Sequence, residues 1–134
     1  MKTIKISMLV LTLTFMSFTV LPTKAVSAKI EKIASLISWK SEQIDLGEIP
    51  QNKPKSIDFE FKNTGNTAVI ITNVKASCGC TATDFTKTPI QAGETAKVTA
   101  TYNAATKGGF TKTVTVTTSA EVAPKVLYFK GTVI

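Results

Sequence analysis

The sequence predicts an all-β fold, an immunoglobulin-like β-sandwich of about seven strands. Two observations lead to this prediction. Short stretches of alternating apolar and polar residues recur along the chain, and turn residues separate them. Threonine occurs 17 times between Thr64 and Thr132, and such frequent use of a β-branched polar residue fits strands with one face in water. A small β-barrel is the alternative architecture.

The first half of the domain contains three predicted strands: Ser41–Leu46, Ser56–Lys62 and Ala68–Ala76. The first is weak and ends at Gly47. The loop after it contains Pro50 and Pro54, which cannot continue a strand ladder. The second alternates cleanly, and residues 63–66 after it supply turn chemistry. The third is more apolar, as expected of a strand that is bulged or covered on both sides.

The second half adds four predicted strands: a short one at Thr81–Phe85, then Ala96–Tyr102, Phe110–Thr117 and Leu127–Val133. Pro89 and Gly93 mark the turn before the second of these, and Pro124 marks the loop before the last. The Lys-Gly-Gly tripeptide at 107–109 predicts the tip of a β-hairpin. The seven strands follow one another without a long helix between them, which favours the sandwich.

Aromatic side chains are predicted to pack between the two sheets and hold them together. The two cysteines cannot supply the usual bridge between sheets, because only Gly79 separates them. Hydrophobic packing must therefore hold the sheets together. The predicted anchors are Trp39, Phe59, Phe61, Phe110 and Phe129.

The first 28 residues are predicted to be a signal peptide. They have a basic start, an apolar run from Ile6 to Leu21 and a small-residue exit that ends at Ala28. An uncleaved anchor is the alternative, but the run of 16 residues is short for a membrane span. Cleavage would leave 134 − 28 = 106 residues with a formal charge of 13 − 9 = +4. Export would place the cysteines where disulfides persist.

A lead-in segment, residues 29–40, is expected between the signal peptide and the β-sandwich at 41–134. Ile30, Ile33 and Ile37 have the spacing of a short amphipathic helix. The span is only about two turns, and isolated helices of that length are marginal. Its form is therefore left open.

The composition excludes most familiar enzyme chemistry. The chain has no histidine and no arginine, so Ser-His-Asp and Cys-His catalysis and bidentate arginine recognition of anions are excluded. The predicted mature chain also lacks methionine and with it thioether copper sites. A net charge of +4 favours solubility over nucleic-acid binding. We expect a non-enzyme with no cofactor, no nucleic-acid partner and no membrane span after signal cleavage.

The pentapeptide Ser77-Cys78-Gly79-Cys80-Thr81 is the one motif that could carry chemistry. In extended chain both sulfurs lie on one face, and a disulfide would require a bend at Gly79 because Cα atoms at that spacing are about 6.6 Å apart. Two thiolates, with Asp84 as a further ligand, could instead hold a soft metal ion, although closed zinc sites need four ligands. We favour a structural role, bridged or packed, over redox function, and place metal binding last.

Other candidate residues are weaker. Asp58 and Glu60 imitate a catalytic carboxylate pair, but Lys62 shares their strand face, so a solvated surface is the better interpretation. Residues 107–109 are too short for a phosphate cradle. Tyr128 alternates outward and could contact a partner, although an edge strand would show the same pattern.

Six segments together resemble a known family. They are Asp45-Leu46-Gly47-Glu48-Ile49, Phe61-Lys62-Asn63-Thr64-Gly65, Ser77-Cys78-Gly79-Cys80-Thr81, Pro89 through Gly93-Glu94, Gly108-Gly109-Phe110-Thr111-Lys112 and Lys130-Gly131-Thr132-Val133. In this order they resemble the exported bacterial domain-of-unknown-function family number fifteen seventy-three, which is similar to the immunoglobulin-like domains of the major sperm protein and Hydin type. The resemblance implies fold and export, and it implies no activity.

Two functional hypotheses follow. The first is an exported, non-enzymatic module that binds another envelope or surface component, a protein above all, through strand edges or loops. Its location would be the periplasm or the extracellular surface of a Gram-negative-type bacterium. The second is a thiol redox or soft-metal-handling protein that acts through Cys78 and Cys80.

Overall fold

The computed structural model describes residues 35–134, and these residues form eight β-strands and no helix. The strands are β1 (Ile37–Trp39), β2 (Gln43–Ile49), β3 (Lys55–Asn63), β4 (Ile71–Ala76), β5 (Thr81–Phe85), β6 (Thr95–Tyr102), β7 (Gly108–Thr118) and β8 (Lys125–Val133). They build two four-stranded sheets, with the orders β1-β3-β6-β5 and β2-β8-β7-β4. The predicted signal peptide lies outside the described residues.

The two sheets confirm the predicted sandwich and exclude the barrel for residues 35–134. All neighbouring strands are antiparallel except β2 and β8, which run parallel. The inward positions of β3, β6, β7 and β8 form one apolar core, because strand side chains alternate between the two faces. Of the predicted anchors, Phe59, Phe61 and Phe129 are buried, and Trp39 and Phe110 are partly buried against that core.

The lead-in segment ends in a strand. Residues 37–39 form β1, which pairs with the end of β3 through Ile37↔Asn63 and Trp39↔Phe61. The sheet therefore includes residues before position 41, where the alternation first becomes visible in the sequence. A three-residue strand has no periodicity of its own, and here its partner strand determines its conformation.

The predicted hairpin tip at 107–109 is wrong. β6 belongs to the first sheet and β7 to the second, so residues 103–107 cross from one sheet to the other. Gly108, with φ of +109°, and Gly109 lie at the start of β7 and pair with the end of β8. The two glycines thus form the first residues of a strand and not a two-residue turn.

β2 is longer than predicted because it continues through Gly47. Its pairing with β8 shifts between Asp45 and Glu48, which is a β-bulge, and Gly47 has φ of +62° within it. Asp45 Oδ1 accepts a hydrogen bond from Gly47 N at 2.9 Å. A residue without a side chain at this position lets the strand bend and then resume its pairing.

Within residues 35–134 we find no helix of the length and apolarity needed to cross a membrane.

Candidate functional site

The disulfide turn, residues 77–81, connects the edge strand β4 of one sheet to the edge strand β5 of the other. Cys78 and Cys80 are joined by a disulfide, and their Cα atoms are 5.2 Å apart. The chain bends between them, as the spacing requires of a bridge, and Thr81 N donates to the carbonyl of Cys78 at 3.3 Å. Both cysteines are half-buried and Gly79 is exposed. The bridge is therefore accessible from solvent.

The two ends of the disulfide turn are held by different sheets. Ser77 N donates to Thr113 O at 2.9 Å, and Thr113 N donates to Ser77 Oγ at 3.1 Å. At the other end, Asn103 N donates to Cys80 O at 3.0 Å. Because β7 holds one end and the β6 end holds the other, the disulfide turn sits at a fixed place on the side of the sandwich.

The hydroxyl of Thr81 lies close to both sulfurs of the disulfide. Its Oγ1 atom lies 3.7 Å from Cys78 Sγ and 3.9 Å from Cys80 Sγ. Thr81 is buried, with 7% of its surface exposed. A buried hydroxyl in contact with both sulfurs can donate a hydrogen bond to whichever sulfur carries negative charge.

A surface depression of about 310 Å³ adjoins the disulfide turn. It is lined by Cys80, by residues of the β6–β7 connection and by the start of β7. Lys107 and Lys112 line it as well, and neither forms an ion pair with a carboxylate among residues 35–134. Two lysines at this depression without a carboxylate partner in that range favour a positive potential beside the disulfide.

The predicted third metal ligand, Asp84, makes other contacts. Its Oδ1 accepts a hydrogen bond from Phe85 N at 2.8 Å and lies 3.8 Å from Lys87 Nζ. The sulfurs of Cys78 and Cys80 are bonded to each other and so are not thiolate ligands. In the described part of the chain, no three residues among His, Cys, Asp and Glu form a group that could hold a metal ion.

The side of the sandwich that carries the disulfide turn presents two strand edges. β5 is the last strand of its sheet and β4 the last of the other. The residues that flank β5, Cys80 and Thr86, are bonded across to the neighbouring strand: Asn103 N donates to Cys80 O, and Thr86 N donates to Lys97 O. Since bonded pairs alternate along an antiparallel ladder, Thr83 directs its N–H and C=O away from β6. We call this region the β4–β5 side.

The opposite side of the sandwich offers less free edge. β1 has only three residues. β2 is interrupted by the bulge between Asp45 and Glu48. Bulges and very short strands are the usual means of protecting an edge from further pairing. β4 also has a register shift, between Ile71 and Asn73, but β5 has none, so β5 is the more open edge strand among residues 35–134.

A second depression, of about 550 Å³, lies where three of the segments that carry the family resemblance meet. It is lined by parts of 45–48, 109–111 and 130–132. The pKa of Asp45 is lowered, first by the hydrogen bond from Gly47 N and then by Lys130 3.4 Å away. The Asp45 carboxylate thus accepts a hydrogen bond within the β-bulge and pairs with Lys130. The residues of this depression therefore serve the bulge and the packing of the strands around it.

The carboxylates on the outer face of the first sheet are paired with neighbours, as predicted for a solvated surface. Glu60 forms an ion pair with Lys40 at 2.9 Å. Asp58 accepts from Thr99 Oγ1 at 2.5 Å and from Lys97 Nζ at 3.1 Å. The hydroxyl of Thr99, followed by Lys97, lowers the pKa of Asp58. Each of these two carboxylates is thus paired with a lysine on the exposed face of the sheet.

Acid should weaken the fold partly through Asp58. Because the pKa of Asp58 is lower in the folded chain, its contribution is present above the unfolded value of about 4 and is lost as pH falls through the folded value. Thr99→Val should reduce the drop in unfolding free energy below pH ~4. The reduction should be less than about 1 kcal/mol, since solvent screens the contact between Thr99 and Asp58. Urea unfolding at pH 3 and pH 6 measures this. Thr95→Val on the same strand is the control, and an equal change in both variants would contradict the assignment.

Tyr128 points outward from β8, as predicted, with 43% of its surface exposed. It lies between Gln43 of β2 and Thr113 of β7. Val126 beside it is also exposed. The face around Tyr128 is the middle of a sheet, so the alternative interpretation as an edge strand is wrong.

Sequence reasoning found the cysteines but not their surroundings. Thr81 is part of the predicted motif, but the sequence assigns no role to its hydroxyl, and Asn103 and Lys112, which border the disulfide turn, are not predicted. Thr81 had a local signal, because it follows the second cysteine directly. Asn103 and Lys112 come from other strands and had none.

The described residues match one family model along all eight strands. The model, described as protein of unknown function (DUF1573), matches residues 37–133. The chain belongs to this family. The match confirms the resemblance carried by the six segments, the disulfide turn among them. No functionally curated protein shows significant sequence similarity to this DUF1573 chain.

Solved structures share the fold of this DUF1573 domain. The ASH/PapD-like domain 7 of human CEP192 has a TM-score of 0.62 at 10% identity, over 75% of this chain and 86% of that one. A protein of unknown function from Porphyromonas gingivalis W83 has a TM-score of 0.63 at 10% identity, over 73% of this chain and 46% of that one. The VesB protease of Vibrio cholerae has a TM-score of 0.61 at 17% identity, over 72% of this chain and 32% of that one.

These likenesses establish the immunoglobulin-like sandwich and nothing finer. This chain spans less than half of the Porphyromonas gingivalis protein and about a third of the VesB chain. Function does not follow from a shared sandwich at such low identity.

Proposed function

We propose that this DUF1573 protein is an exported, non-enzymatic module that binds an extended segment of another protein of the cell envelope. The observation that carries the proposal is the open β4–β5 side, where Thr83 directs unpaired backbone groups outward. A peptide in extended conformation can add to such an edge as a further strand, and backbone hydrogen bonds then supply affinity.

The composition supports a binding role over catalysis. A chain with neither histidine nor arginine lacks the commonest general base and the anion fork, and the carboxylates on the first sheet are paired with lysines. The location that fits the proposal is the periplasm or the extracellular surface of a Gram-negative-type bacterium. The basic start and apolar run of residues 1–28, interpreted as a signal peptide, support export.

Site-specific photo-crosslinking in intact cells tests the proposed edge. A photoreactive residue at exposed Ala82 on β5 should yield a crosslinked product with a defined envelope protein, identified by mass spectrometry. The same residue at exposed Ser38 on β1 is the matched control and should yield none. Recovery of the Ala82 variant only as the free chain would count against the proposal.

A proline variant separates edge pairing from other contacts. Thr83→Pro removes an N–H that points away from β6, so it spares the ladder of the first sheet. It should abolish the Ala82 crosslink while urea unfolding stays within about 1 kcal/mol of the parent chain. An undiminished crosslink would show that the partner does not bind by strand addition.

A further inference from the structure

The disulfide turn has properties that the proposed binding function does not use. Its bond closes a loop of three residues, so it restrains the unfolded chain only weakly. The two sheets are held by the apolar core, in which neither cysteine is fully buried. A solvent-accessible bridge that adds little to stability is suited to being opened and closed.

We propose that Cys78 and Cys80 form a thiol–disulfide exchange site, which takes two electrons from a partner dithiol and returns to the disulfide by the reverse reaction. The proposal goes beyond the binding function and does not depend on a partner at the β4–β5 side. Its substrate is a dithiol of a protein or a small molecule.

The two cysteines are held in place to different degrees, and this difference determines which sulfur the incoming thiolate attacks. Cys80 packs against the core, and its carbonyl accepts a hydrogen bond from Asn103 N in the neighbouring strand. Cys78 lies in the turn, where its carbonyl accepts the longer bond from Thr81 N. Cys78 can therefore move outward with little loss, so it is the sulfur that the incoming thiolate attacks. Cys80 stays in place as the leaving sulfur.

The surroundings of Cys80 stabilise the negative charge that leaves with it. Thr81 is a buried residue whose Oγ1 lies 3.7 Å from Cys78 Sγ and 3.9 Å from Cys80 Sγ. Once Cys78 has moved outward in the mixed disulfide, this hydroxyl can donate a hydrogen bond to the Cys80 thiolate. Lys107 and Lys112 line the depression beside Cys80. Better stabilisation of the leaving thiolate speeds exchange.

The exchange balances in two steps. A partner thiolate attacks Cys78 Sγ, the Cys78–Cys80 bond breaks, and its electron pair stays on Cys80 as a thiolate. The second thiol of the partner, as thiolate, then attacks the partner sulfur of the mixed disulfide and releases Cys78. The partner dithiol is oxidised to a disulfide, and the released cysteine thiolates take up the two protons that the partner thiols lose.

Acid-quenched reaction with reduced glutathione tests which sulfur is attacked. The folded chain is mixed with glutathione at pH 7, the reaction is stopped early, and free thiols are alkylated before peptide mass spectrometry. We expect glutathione on Cys78 and the alkyl group on Cys80. Glutathione mainly on Cys80 would overturn the assigned direction.

Rates of reduction by dithiothreitol test the role of Thr81. Thr81→Val keeps the shape of the side chain but removes the hydroxyl, and should slow reduction about tenfold through loss of one hydrogen bond to the leaving thiolate. Thr81→Ser should restore most of the rate, which a purely structural role would not predict. Thr83→Val on the same strand is the control and should react like the parent chain.

Three results would overturn the proposal: equal rates for Thr81→Val and Thr83→Val, no rescue by Thr81→Ser, or a disulfide that dithiothreitol reduces only after the chain unfolds in urea. The Cys78→Ala/Cys80→Ala chain separates this proposal from the binding function. It should lose exchange altogether and keep the Ala82 crosslink, so failure of either proposal is visible without the other.

Discussion

Asn63→Ala is expected to lower the free energy of unfolding by about 3 kcal/mol, because a buried amide satisfies three backbone groups at once. The Asn63 side chain is fully buried at the end of β3. Its Nδ2 donates to Thr67 O at 2.8 Å and to Ile90 O at 2.9 Å, and its Oδ1 accepts from Gly65 N at 3.0 Å. Alanine would leave these three backbone groups without the amide, and the lost bond to Ile90 O is a buried one.

The backbone of Asn63 adds to the same network. Its N–H donates to Glu94 O at 2.9 Å, and its carbonyl accepts from Gly93 N at 2.8 Å. One residue therefore ties two loops, 64–70 and 90–94, to the end of the sheet. Removal of the amide loosens both loops together, so the cost should exceed that of an average buried hydrogen bond.

Urea unfolding of matched asparagine variants measures the effect. Asn66→Ala changes an exposed residue in the same turn and should stay within about 0.5 kcal/mol of the parent chain. Asn63→Asp should be destabilising as well, because it retains the acceptor but lacks the two donors. Losses of similar size in Asn63→Ala and Asn66→Ala would show that the network contributes little.

Strand positions were predictable because side chains on a strand alternate with a period of two, and the core side is visible in the sequence. Phe59 and Phe61 of β3 were predicted as anchors for this reason, and both are buried. Asn63 was predicted only as a turn residue. The same local chemistry suits an exposed turn or a buried plug, and only contacts with Thr67 and Ile90, one of them distant in sequence, distinguish the two.

Sheet membership was not predictable from local pattern. The glycines at 108 and 109 have the chemistry of a hairpin, yet the strands on either side belong to different sheets. β1 was missed because its conformation depends on pairing with residues 61–63. Nothing local to these segments states which strand will be the neighbour.

The cysteine pair was visible in the sequence, but the features on which its proposed exchange function depends were not. Both proposals depend on where β5 lies, at the edge of its sheet and beside the depression that contains Lys112. Thr81 is adjacent to Cys80 in sequence, but its burial and its contact with both sulfurs follow from the fold. The sequence motif identifies the two cysteine sulfurs, whereas their environment depends on strands that are distant in sequence.

The second large effect is expected at Gly131, where the chain has no space for a side chain. A Cβ atom at Gly131 would lie 2.8 Å from Gly47 O and 2.9 Å from Phe110 Cζ. The carbonyl of Gly47 cannot retreat easily, because Asp45 holds the amide of the same residue in the bulge. The Phe110 ring is stacked on Tyr102 with centroids 4.4 Å apart, so it cannot move without disturbing a second ring.

Gly131→Ala should therefore lower the free energy of unfolding by about 2 to 3 kcal/mol, toward the upper end of overpacking effects. Gly109→Ala is the matched control: a Cβ there meets no atom within 4 Å, so the change should be below about 1 kcal/mol. Urea unfolding of both variants gives the comparison. Equal stabilities would show that the Gly47 and Phe110 contacts relax without cost.

A double variant identifies which neighbour resists the added methyl group. Phe110→Leu alone removes part of the ring stack and should destabilise the fold. In the Gly131→Ala/Phe110→Leu chain the smaller side chain makes room for the methyl group. The loss of unfolding free energy in this double variant should therefore be about 1 kcal/mol smaller than the sum of the losses in the two single variants. Simple additivity would assign the strain to the Gly47 carbonyl, and the bulge of β2 would then be the element that requires glycine at position 131.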